Sequence, residues 1–147
     1  MTTDYINAIG TLKIETFDST GKLKDTQLLE NLIVSNGKNY IASRMIGVAM
    51  PVMTHMGLGT GTVAPATSDT ALGAQLSSLV ALDSTTVLNN TVTYTCTFGP
   101  GVCTGAYTEA AIFNAATAGT MLNRTTFNVI NKSAADTSII TWNVTIS

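Results

Sequence analysis

The chain has 147 residues, enough for one domain that removes about two thirds of its unfolded surface from water. Hydrophobic residues make up 45% of it and Asp, Glu, Lys and Arg together only 11%, a balance opposite to that of intrinsic disorder. Seven basic against nine acidic side chains give a formal charge of −2, which leaves no cationic surplus for a phosphate backbone, so no nucleic-acid partner is expected.

No apolar run reaches the ~18–20 residues that cross a bilayer, and the polar start does not resemble a secretory signal, so a soluble, unexported chain without a membrane partner is expected. Threonine is the compositional oddity, with 26 residues beside 11 Asn and 12 Gly. A β-branched side chain with a hydroxyl suits the wet face of a pleated strand without adding charge.

Residues 1–9 read as an N-terminal arm, in which Tyr5, Ile6 and Ile9 could order on a neighbouring molecule, and residues 10–147 as one domain. Residues 10–17 alternate Leu12 and Ile14 with Lys13 and Glu15, the period-two pattern of a half-buried strand. A turn at 18–21, closed by Gly21, returns the chain through strands at 22–29 and 31–34. Ser35 or Asn36 is placed to cap a short helix running to about Ile46, with Gly47 beyond its end and Pro51 barring continuation. A strand at 53–58 leads into a polar loop at 59–69, after which Asp69 is placed to cap one helical turn at 70–76.

The Val-, Thr- and Leu-rich stretch 79–88 and the strand 91–98 flank Asn89-Asn90 and read as a hairpin. In 91–98 the alternation is strict, with Val92, Tyr94, Cys96 and Phe98 on one face and four threonines on the other. Residues 107–114 form a further strand, and 120–130 alternate imperfectly, as at a bulge. A turn at 131–136 precedes 139–146, where Ile140, Trp142, Val144 and Ile146 share a face. About eight short strands and one short helix suit an all-β antiparallel sandwich, jelly-roll-like or Ig-like, with a barrel as the competing arrangement.

The chemistry-bearing residues are sparse. His55 is the only histidine and stands in no triad signature. The glycines of 57–62 (GLGTGT) follow a strand, yet the dinucleotide fingerprint needs Gly where Thr62 stands, and Pro65 interrupts any following helix, so they read as turn glycines. Cys96 and Cys103 could form a disulfide or remain two free thiols, and two cysteines alone do not make a zinc site. The nine acids read as a solvated scatter without a calcium-loop pattern. No catalytic residue, cofactor, metal or small-molecule substrate is therefore expected. A chain so poor in charge exposes uncharged surface of the kind that meets other proteins. The arm residues and the methionines of 45–56, Met50 and Met53 among them, are the candidate contacts, with core filling the competing role of the methionines.

Residues 31–44 (NLIVSNGKNYIASR), 55–62 (HMGLGTGT), 68–73 (SDTALG), 107–114 (YTEAAIFN) and 141–145 (TWNVT) together resemble small structural proteins of tailed bacteriophages. The resemblance covers most of the chain from about Gly10 and brings no catalytic residue with it. It implies a virion location after synthesis in the host cytoplasm. Capsid decoration or cement proteins are compact β domains, often homotrimers, that bind at junctions of the major capsid protein, so that protein and further copies of the chain are the expected partners. A tail, baseplate or fibre component is the alternative placement, and a carbohydrate- or receptor-binding β module the alternative role.

Overall fold

The computed structural model describes residues 4–48 and 50–147, so residues 1–3 of the expected arm lie outside the described residues. In chain order the elements are β1 (Ala8–Phe17), β2 (Leu23–Ile33), helix α1 (Ser35–Met45), β3 (His55–Gly59), β4 (Val80–Ala81), β5 (Ser84–Leu88), β6 (Thr91–Phe98), β7 (Gly105–Phe113), β8 (Met121–Lys132) and β9 (Thr137–Ile146). The all-β reading holds. The separation into two sheets expected of a sandwich is not what the ladder shows, because the nine strands form one hydrogen-bonded sheet in the order β4-β3-β7-β8-β2-β1-β9-β6-β5.

Two features curl that sheet into a half-barrel. Residues 23–31 of β2 pair with β1, but Leu32 and Ile33 pair with Arg124 and Asn123 of β8, so the strand turns a corner without leaving the sheet. At the far end, the stretch expected as a single strand at 79–88 breaks at Leu82-Asp83, and its halves β4 and β5 become the opposite edges of the sheet. Two residues of chain span the gap between those edges, which forces them close together.

The alternation decides which side chains fill the interior. Leu12 and Ile14 of β1, Tyr94, Cys96 and Phe98 of β6, and Ile140, Trp142 and Val144 of β9 face inward and are buried. They share one core with Met56, Leu58, Tyr107, Ala110, Ile112, Leu122 and Ile130 from the other arm of the curl. Each such large side chain contributes roughly 1.5–3 kcal/mol relative to exposure. Trp142 is fully buried, and its indole Nε1–H donates to Asn31 Oδ1 at 2.7 Å. A smaller cluster of Val34, Ala111, Phe113 and Met121, joined by Leu72, lies apart from that core under the long loop 60–79.

Three local expectations change. The helix begins after Val34, which has extended φ/ψ and makes no side-chain cap; its carbonyl accepts Lys38 N–H, and Ser35 N–H goes to Thr67 O at 2.8 Å. Tertiary partners have taken the place of the Ser35 or Asn36 cap. The helical turn at 70–76 does not form, because Asp69 instead turns back to accept Ala66 N–H and to meet Arg124. The arm is shorter than 1–9, since Ala8 and Ile9 already pair with Ile146 and Thr145.

Candidate functional site

The outer face of β5, β6, β9 and β1 is rich in threonine, with the Lys13–Glu15 pair of β1 and the exposed Leu88 and Ile9 at its margins. The registers align Ser84, Thr95 and Thr141 with Lys13 in one row, and Thr86, Thr93, Asn143 and Thr11 in the next. A third row joins Leu88, Thr91, Thr145 and Ile9. Neighbours within the rows satisfy one another: Thr91 and Thr145 hydroxyls lie 2.9 Å apart, and Thr93 Oγ1 donates to Asn143 Oδ1 at 2.7 Å. Lys13 and Glu15, the charges of β1, lie 3.5 Å apart on this face. Because direct cross-strand hydroxyl pairs are already made, the face is pre-ordered and offers its remaining lone pairs to a partner.

Beside this face, the other arm of the sheet holds a buried charge cluster that the sequence did not advertise. Glu109 of β7 is fully buried, and its carboxylate accepts N–H groups of Gly61 (3.0 Å), Ala74 (2.8 Å) and Gly73 (2.9 Å). Arg124 of β8 completes the set, with Nε and Nη2 at 2.9 and 2.8 Å from Glu109 Oε2, Nη1 at 2.8 Å from Asp69 Oδ2 and Nη2 donating to Val63 O. Burial pushes the Glu109 carboxyl up, but the N–H groups of Ala74 and Gly73, the Arg124 guanidinium and Gly61 N–H outweigh it and hold it below the ordinary glutamate value.

The cluster explains the glycine run. A Cβ on Gly59 would lie 2.3 Å from Glu109 Oε1, and one on Gly61 2.6 Å from the same atom. The glycine loop thus does cradle an anion through backbone N–H groups, as phosphate loops do, but the anion is the protein's own carboxylate. With every lone-pair direction used, Glu109 is a clamp for loop 60–79 and not a free acid or base.

The residues singled out by sequence fall in different places. Tyr5, Ile6 and Ile9 are 80, 76 and 50% exposed at the start of the described chain. Met50 is half-buried against the core, and Met53 is buried within it at 3% exposure, so a contact surface cannot include Met53. Cys96 and Cys103 are both buried and free, the second of the two arrangements left open by the sequence: Cys96 Sγ points to Val80 O and Ala81 O, and Cys103 Sγ to Leu76 O. Burial pushes the Cys96 thiol up to about 12 and raises that of Cys103, away from the reactive thiolate. His55 is half-buried in β3 with Nδ1 2.8 Å from Thr54 Oγ1.

The acids depart furthest from the solvated scatter expected of them. Besides Glu109, Asp136 is buried where it ties the β8–β9 turn together, accepting Lys24 Nζ at 2.5 Å and Ser133 N–H at 2.8 Å. Those two contacts, Lys24 first, pull its carboxyl down to about 2. Among the described residues no group of three or more His, Cys, Asp or Glu could hold a metal ion, and no helix is long and apolar enough to cross a membrane.

Sequence reasoning also missed a hollow at the mouth of the curl. A cavity of about 180 Å³ is lined by Tyr40, Ile41 and Arg44 of α1, Val92 and Tyr94 of β6 and Val144 of β9. A second hollow of about 360 Å³ adjoins it through Ile41 and Ile146 and is bordered by Ile6, Lys38 and Met45. The signal was the run Tyr40-Ile41 on the helix together with the inward phase of β6 and β9, but which strand ends meet α1 is a matter of topology. No family model matches the chain, and no curated protein or solved structure matches it.

Proposed function

We propose that the chain is a non-enzymatic structural protein of a tailed-bacteriophage particle, a capsid decoration or cement protein that bridges neighbouring subunits of the major capsid protein and associates with further copies of itself as a homotrimer. The observation that carries this reading is the threonine-rich outer face of β5, β6 and β9, whose cross-strand hydroxyl pairs carry no charge. Its contacts would be hydrogen bonds and methyl packing, which lose little at high salt, unlike ion pairs. The sequence resemblance supplies the setting.

The mechanism is avidity. Outward pressure on a shell separates its subunits only if every contact made by a bridging protein is lost together, and the second and third engagements of a trimer are effectively intramolecular. Binding the assembled shell in preference to separated subunits stabilises it by mass action. A carbohydrate-binding module would display an aromatic platform, and Trp142 is fully buried. Imaging of labelled chain on intact particles tests the reading. Density over capsid junctions, with loss of heat resistance in particles stripped of the protein, is the expected result; density on the tail would overturn the capsid placement, and absence from particles the whole proposal.

A further inference from the structure

We propose that copies of this chain associate by arm exchange, the ring of Tyr5 of one copy entering the cavity lined by α1, β6 and β9 of the next. The inference deepens the self-association proposed above and rests on that reading for its setting alone.

The cavity has the size and character for a ring. Its volume is about 180 Å³ and its apolar lining includes Tyr40, Ile41, Val92, Tyr94, Leu122 and Val144. An apolar protein cavity of about 150 Å³ takes up benzene. Arg44, which also lines it, suits a phenol oxygen.

The chain supplies one ring without a place of its own. Tyr5 is 80% exposed, whereas the other aromatic side chains of the described residues are buried or half-buried. Its own cavity does not receive it. Asn7 is fixed to Ser147 by two backbone hydrogen bonds of 2.7 and 2.8 Å, and Ile6 borders the adjoining hollow, which leaves Tyr5 directed to solvent.

Charge favours a second copy as the occupant. Helix α1 carries Lys38 and Arg44 and no acid, and both cations border the hollows. The exposed arm brings Asp4 beside Tyr5, so a ring seated in the cavity places a carboxylate at a cationic rim. The exposed Met45 at the end of the helix extends the apolar border. Ring and cavity are different surfaces, so the contact serves a reciprocal two-fold exchange as well as a head-to-tail ring such as a trimer, and the sedimenting mass distinguishes the two.

Sedimentation of the full chain from micromolar to submillimolar concentration tests this. Wild type should associate, and Tyr5→Ser and Val92→Phe should each weaken association by about 30-fold or more, the loss typical of an interface anchor. The two variants mixed should form a one-to-one complex, because one keeps the cavity and the other keeps the ring. Asp4→Lys and Arg44→Glu should each weaken association and restore it when combined. Should circular dichroism show that Val92→Phe is unfolded, Tyr5→Ser and the charge exchange decide alone. A wild type monomeric at every concentration, or association indifferent to Tyr5→Ser, overturns the inference. A monomeric chain that binds capsids would sink arm exchange and leave the shell role standing; Tyr5-dependent association of a chain absent from particles would do the reverse.

Discussion

Replacing Glu109 with Gln tests whether a buried carboxylate holds loop 60–79 in place. The amide has nearly the same shape, but its NH₂ must face either the Gly73 and Arg124 donors or the Gly61 and Ala74 donors, so a donor meets donors. Arg124, buried at 2% exposure, keeps only Asp69 as a charged partner. Removing one partner of a buried ion pair typically costs about 3–5 kcal/mol, a large share of the roughly 5–15 kcal/mol that stabilises a domain. For a chain of this length that corresponds to a fall in Tm of roughly 6–20 °C.

Urea unfolding gives the global cost, and hydrogen exchange gives its location: the amides of Gly61, Gly73 and Ala74 should lose protection before those of β6 and β9. The double variant Glu109→Met with Arg124→Leu should recover little of the loss, because the N–H groups of Gly61, Gly73 and Ala74 are left without an acceptor and Asp69 without its cation. If Glu109→Gln unfolds within about 1 kcal/mol of wild type with exchange in the loop unchanged, the clamp does not hold the loop.

The pH dependence has a definite sign. Both carboxyls titrate lower in the folded chain, so their contributions are complete above the ordinary carboxylate pKa and are lost as pH falls through the folded values, about 2 for Asp136. Asp136→Asn should flatten the stability profile between about pH 4 and pH 2, read by urea midpoints at each pH. Gly10→Ala places a Cβ 1.7 Å from Asn31 Oδ1, the acceptor of the Trp142 indole, and should destabilise by about 1–3 kcal/mol with a shift in tryptophan emission. Neither thiol should react with iodoacetamide in the folded chain at pH 8, and both should react in denaturant; rapid labelling of native Cys96 would contradict its burial.

The strands were legible wherever one face is wet. In β6 and β9 the period of two survives because threonine marks most of the solvent side and apolar residues the inner side, so the phase of each strand could be read directly. β7 was legible as a strand but not as the seat of a clamp, because Glu109 among Ala and Ile looks like any surface acid until Arg124, fifteen residues on, is brought beside it. The break at Leu82-Asp83 left no mark, since both halves are equally rich in strand formers and only the closure of the sheet separates them. Sequence also offered no way to tell Met53, which the curl encloses, from Met45, which it leaves 80% exposed.

The position of β9 bears on how the chain reaches this state. It lies between two hairpins, β1–β2 and β5–β6, each closed by a short local turn, and pairs with both along nearly its whole length. The hairpins can form within microseconds, but the seam joining residues 8–17 to residues 137–146 must wait for a loop of more than a hundred residues to close. Folding is therefore expected on the millisecond-to-second scale of non-local β proteins. Until the seam closes, two threonine-rich ribbons wait with open edges, and misjoined ribbons from different molecules are the error against which the cell must guard.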